Sequence, residues 1–163
     1  MTAPSGDLAD LLIQKTSISY SDVGGFPSDS QTSSHALSYR DDGTLKADTV
    51  VQFNALGNPS QSNTTNYKSN GLDVLSYEET DYSAATFRDG AVIGGDIVKR
   101  VKRANLTLEK ISHQTYTNGQ LVGGHLSATI VDESKLYRAN GADVLETITS
   151  TTVINNDIPV WVS

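Results

Sequence analysis

Thr49-Val50-Val51-Gln52-Phe53-Asn54-Ala55-Leu56-Gly57 carries the pattern that decides the fold. The run up to Phe53 is rich in β-branched residues and alternates in polarity, as a half-buried strand does. An aromatic residue closes the run, and a glycine follows shortly after. Glycine supplies the positive φ that a tight turn needs. The signature recurs from residue 35 onward: Tyr39 with Gly43, Tyr67 with Gly71, Phe87 with Gly90, Tyr116 with Gly119, and Tyr137 with Gly141. A further turn is expected at Arg103-Ala104-Asn105, where Asn stands without Gly, followed by the alternating run Leu106–Ile111. The aromatic flanking each turn is expected to pin the strand register.

The spacing gives the architecture. Gly43, Gly57 and Gly71 are evenly spaced, and Asn105 and Gly119 keep the same interval. A strand of about nine residues plus a tight turn fills it. A longer repeat overlies the short one. The segment from Phe87 to Val98 matches that from Tyr116 to Ser127, and Asn70–Leu75 matches Asn140–Leu145. Successive hairpins imply an all-β antiparallel meander, whether a narrow sandwich, an open barrel or a single-layer sheet. The matching pairs Gly94-Gly95 and Gly123-Gly124 fall mid-strand on this reading. Bulges, sharp coiling or close backbone approach would call for them, or both descend from one repeat and simply shape the sheet.

Outside this pattern, residues 5–15 read as one short helix. Ser5 or Asp7 caps it, and Leu8, Leu11 and Leu12 share a face. Residues 21–34 are polar and rich in Gly, Pro and Ser, the composition of a loop or arm. The division is therefore an N-terminal helix and polar arm over 1–34 and an antiparallel β domain over 35–163. At the C-terminus, Ile158, Val160 and Val162 alternate with Pro159 and Trp161. This reads as a final strand, and Pro159 places it at an edge. It either closes its own sheet or adds to a neighbour's.

Tyr39-Arg-Asp-Asp-Gly-Thr-Leu45, Phe53-Asn-Ala-Leu-Gly-Asn-Pro59 and Tyr137-Arg-Ala-Asn-Gly-Ala-Asp-Val144 resemble the turn signature of the YD (Rhs-type) repeat family. The resemblance covers the turns of residues 35–150. It implies a structural β-sheet scaffold and brings no catalytic residues with it. Asp rarely follows the aromatic here, and the chain is too short to close the shell that long YD-repeat proteins build.

Composition excludes several functions. The 163 residues suffice for one domain. Apolar residues are 37% and charged residues 19%, with Ser, Thr, Asn, Gln and 13 Gly making up the difference. That is a folded, β-rich chain with a thin core. A net charge of −7 is the wrong sign for a general nucleic-acid binder. With no Cys, disulfides, thiolate nucleophiles and Cys zinc sites are out. No apolar run approaches the ~18 residues that span a bilayer. Met1–Lys15 lacks the basic start and apolar stretch of a secretory signal. The expected location is extracellular or particle-associated without such a signal, with the cytoplasm as the alternative.

His35, His113 and His125 form no metal motif, although His113 and His125 are expected on neighbouring strands that approach across the Gly119 turn. Neither a nucleophile elbow nor a Walker loop is present. Acids cluster at Asp41-Asp42, Glu78-Glu79-Asp81 and Asp132-Glu133. They are either solvating turn residues or, if two clusters converge, a glycosidase-like pair. No cofactor or metal is expected. Lys99, Arg100, Lys102 and Arg103 form one basic cluster, read as a strand end or guarded edge, or as a docking patch for an acidic surface such as another copy. The two sequons at Asn63 and Asn105 matter only in a eukaryotic secretory setting.

The expected function is structural: a self-associating subunit of a fibre, tail or surface filament. Its contacts would involve the basic cluster and Ile158, Val160, Trp161 and Val162. The alternatives are a ligand-binding barrel or sandwich for a carbohydrate or small apolar molecule, with Tyr20, Tyr77 and Tyr82 as a surface row, and a polysaccharide-active enzyme. A homo-oligomer or larger assembly is expected, with neither nucleic acid nor a membrane span.

Overall fold

A computed structural model describes residues 14–23 and 26–162. They form one ten-stranded antiparallel sheet in strict chain order. The strands are β1 (Gln14–Val23), β2 (Phe26–Tyr39), β3 (Leu45–Phe53), β4 (Pro59–Tyr67), β5 (Val74–Arg88), β6 (Ala91–Arg103), β7 (Leu108–Val122), β8 (His125–Tyr137), β9 (Val144–Asn155) and β10 (Ile158–Val162). Strand contacts run almost wholly between neighbours in sequence, with a slight one of β6 with β8. β1 and β10 are the two outer strands, so the sheet is open and does not close into a barrel. It is a single-layer meander.

Three kinds of turn build it, one of them the six-residue turns over 68–73 and 138–143, each closed by a bond from the first amide to the sixth carbonyl. Five-residue turns span 40–44, 54–58 and 103–107, each closed by bonds from the first amide to the fifth carbonyl and from the fourth amide to the first carbonyl. Asn or Asp side chains brace them: Asn54 Oδ1 accepts from the Leu56 and Asn58 amides, Asn105 Oδ1 from Thr107, and Asp42 Oδ1 from Thr44. Just before the turns that hold Gly43, Gly57, Gly71, Gly90 and Gly141 the register slips by one residue, and the aromatic then pairs with an apolar residue of the next strand. The pairs are Tyr39 with Leu45, Phe53 with Pro59, Tyr67 with Val74, Phe87 with Val92, and Tyr137 with Val144. Two-residue hairpins with positive φ at both corners close β5–β6 at Asp89-Gly90, β7–β8 at Gly123-Gly124 and β9–β10 at Asn156-Asp157.

Three expectations need correction. Tyr116 and Gly119 do not flank a turn; both lie inside β7. Gly123-Gly124, expected mid-strand, is the actual β7–β8 turn. A Gly-Gly pair suits a bulge or a hairpin equally, so its resemblance to Gly94-Gly95 misplaced the repeat by several residues. Residues 26–34, expected as a loop, belong to β2, which pairs with β1. A sheet wet on both faces needs no apolar alternation, so polar Ser- and Thr-rich strands go unnoticed in sequence. The expected helix at 5–15 lies outside the described residues except for Gln14 and Lys15, which begin β1.

Two bulges bend the long middle strands. In β5, Tyr82 and Ser83 together oppose Ile97; in β7, Asn118 and Gly119 together oppose Ala128. Ile97 (8% exposed) and Ala128 (4% exposed) are the only buried apolar residues among those described. The extra residue in each bulge bends its strand, and the bend covers the residue across from it. The backbones come so close there that a methyl on Gly119 would collide with the Ile93 carbonyl, and one on Gly95 with the Ala84 carbonyl.

Candidate functional site: free edges and a cupped face

The basic cluster sits in the interior of the sheet. β6 is paired on both sides, so Lys99–Arg103 is neither a guarded edge nor a projecting strand end. Side chains alternate between faces, and β5 supplies a carboxylate on each. Lys99 meets Glu78 on one face. On the other, Glu79 takes Arg100 at 3.3 Å and Lys102 at 3.4 Å. Arg103 points along the sheet end and donates to the carbonyls of Leu108 (2.7 Å), Tyr137 (2.9 Å) and Arg138 (3.2 Å). The charges that sequence offered for docking are engaged inside their own sheet.

The outer strands differ. β10 covers only Thr151–Asn155 of β9. Val144–Ser150 is paired with β8 on one side, and on the other it has no strand partner among the described residues. That lane reads Val-Leu-Glu-Thr-Ile-Thr-Ser, with one charge and no Pro or Lys, the residues that usually blunt an edge. Leu145 is 58% exposed. Ile158, Val160, Trp161 and Val162 lie on β10, opposite Asn155, Val153, Thr152 and Thr151. The terminal strand is thus an edge strand, as Pro159 suggested. Asp157 ties its turn to β8, accepting from the Leu126 amide and bonding His125, both at 2.7 Å.

On one face, the β5 bulge cups a hollow of about 390 Å³ over Ile97, rimmed by Tyr82, Lys99, Lys110, Gln114 and Asp132. Its wall is a hydrogen-bonded chain. Gln114 donates to Asp132 at 3.1 Å, Ser134 donates to Asp132 at 3.2 Å, and Ser112 and Ser134 share a bond at 2.9 Å. The Tyr82 and Phe87 rings lie 6.3 Å apart. Burial raises the Tyr116 phenol above its usual pKa, helped by Asp132 and Tyr82, so it stays protonated. Sequence reasoning missed this hollow because the bulge that forms it has no glycine or proline to announce it.

The remaining candidates do not converge. Tyr77 lines a different hollow from Tyr82, in company with Glu79 and Lys102 of the opposite face, so these two do not share the surface row that would favour a binding module. His113 pairs with Glu133 and His125 with Val122, eight positions apart along β8, so the two do not approach each other. His35 bonds Asp48 at 2.7 Å. Within each cluster, neighbouring acids on a strand alternate faces: Glu78 from Glu79, and Asp132 from Glu133. Among the described residues no group of three metal-ligating side chains forms, and no helix is long and apolar enough to cross a membrane. Comparison with family models, curated proteins and solved structures finds no match.

Proposed function

We propose that this chain is a structural subunit that self-associates through its sheet edges, as a component of a fibre, tail or surface filament outside the cell or on a particle. The observation carrying this reading is a single-layer sheet whose outer strands, β1 and β10, each pair on one side only among the described residues, with a bare lane on β9 beside the short β10. The strand number adds to it. With ten strands in alternating directions, β1 of a second copy set beside β10 by simple translation runs antiparallel to it. Copies can therefore extend the meander head to tail, a heterologous contact that does not close. The likeness of the turns to YD repeats fits a scaffold role. The test is light scattering and electron microscopy across a concentration series. Oligomers or filaments should form, and they should weaken on deletion of 158–163 and on Leu145→Lys, which places a charge on the bare lane. A monomer at the highest soluble concentration would refute the proposal.

A further inference from the structure

We propose that the cupped face over Ile97 is a saccharide-binding site that takes a sugar bearing a carboxylate. The hollow offers the mixture a pyranose ring needs: an apolar floor at Ile97, a phenol edge at Tyr82, and polar groups on the opposite wall. The wall is preorganised. Asp132 is held by Gln114 and Ser134, and Ser134 by Ser112, so ordering these groups costs little on binding. Carboxylate, amide and hydroxyl groups together can answer sugar hydroxyls, which both donate and accept.

Charge selects the class of sugar. Two lysines rim the hollow. Lys99 is neutralised by Glu78. Lys110 has no ion-pair partner among the described residues, which leaves a cation at the mouth for an anionic group. Asp132 lies on the same rim, and it disfavours a compact polyanion while suiting a polyol with one acid per ring. A second hollow of about 200 Å³ shares Lys110 and Asp132 with the first and continues to Leu136 and Ile148. Two depressions joined at the same lysine fit a short chain of sugars better than a single one. The first lies on interior strands, away from both outer edges, so failure of the assembly proposal leaves this one standing.

Calorimetric titration of the full chain with trigalacturonic acid, alongside its uncharged counterpart galactotriose, tests the site. The acidic trisaccharide should bind about tenfold more tightly than the neutral one, the size of one partly exposed charge contact. Lys110→Gln should remove that preference, bringing the affinity for the acidic trisaccharide down to that for the neutral one. Tyr82→Ser should weaken both ligands. Unchanged circular dichroism would show that the variants fold. Backbone NMR shifts on adding the acid should centre on residues 97, 110–114 and 132. Absence of binding to either sugar at millimolar concentration, equal affinity for both, or shifts centred elsewhere would each overturn the proposal.

Discussion

Leu106 shows how one residue can stand in for another at a fixed backbone demand. It occupies the fourth position of its turn at φ 66°, where the equivalent turns carry Gly43 at 79° and Gly57 at 76°. A β-carbon at such a φ costs on the order of 1 kcal/mol. Asn105 makes the substitution tolerable, because its side chain bonds both the amide and the hydroxyl of Thr107 and holds the turn shut. Sequence showed the Asn and gave no sign that Leu would adopt the strained conformation. Leu106 is 64% exposed, so its side chain contributes little through burial. Leu106→Gly should therefore stabilise the protein by about 1 kcal/mol, measured from the urea midpoint. An unchanged or lower midpoint would show that the strain is absorbed elsewhere.

Among the elements, the hairpins were legible and the ties between them were not. An aromatic, a turn residue and an alternating strand lie within a dozen residues of each other, so β3 and β4 could be read locally. The arginine clamps join distant segments. Arg40 donates to the carbonyls of Leu45 at 2.6 Å and Tyr67 at 2.5 Å, just as Arg103 serves Leu108 and Tyr137. Each strings the first turn of a four-strand unit, β2–β5 or β6–β9, to the last. The deeper repeat of the chain is this unit, and no short-range pattern marks it. The bulges hid for a related reason: Tyr82-Ser83 looks like ordinary strand sequence, and only the partner Ile97 shows that a residue is extra. A guanidinium reaches several carbonyls at once through a fixed planar fork, whereas an ammonium does not. Arg103→Lys should cost about 1–2 kcal/mol and speed amide exchange at the end of the sheet that carries the 103–107 and 138–143 turns. Unaltered exchange there would mean the clamp is ornamental.

At the scale of the whole molecule, the sheet has almost no interior. The whole chain exposes 10787 Å², where a compact protein of 17.4 kDa exposes about 7,900 Å². The low apolar content in the sequence matches that surface. Cohesion falls to backbone ladders, clamps and charge-assisted bonds, and acid should weaken the last of these. Five carboxyls are held below their usual range: Asp42 by the Thr44 hydroxyl and amide, Glu78 by Lys99, Asp81 by Ser83, Glu133 by Lys135, and Asp157 by the Leu126 amide and His125. The native state thus binds protons less readily than the unfolded chain. Their stabilisation is complete above the ordinary values of 3.8 for Asp and 4.5 for Glu, and it is lost as pH falls through the lowered native values. The melting temperature should drop steadily below about pH 4; a Tm that holds to about pH 2.5 would contradict this. The strict chain order of the strands also fixes how the sheet bears a load. Tension between β1 and β10 runs across the strands and opens one ladder at a time, like a zip. Tension along the strands shears every rung between two neighbours together. Such a plate is weak in one direction and tough in the other, and its orientation within an assembly decides which of the two the assembly feels.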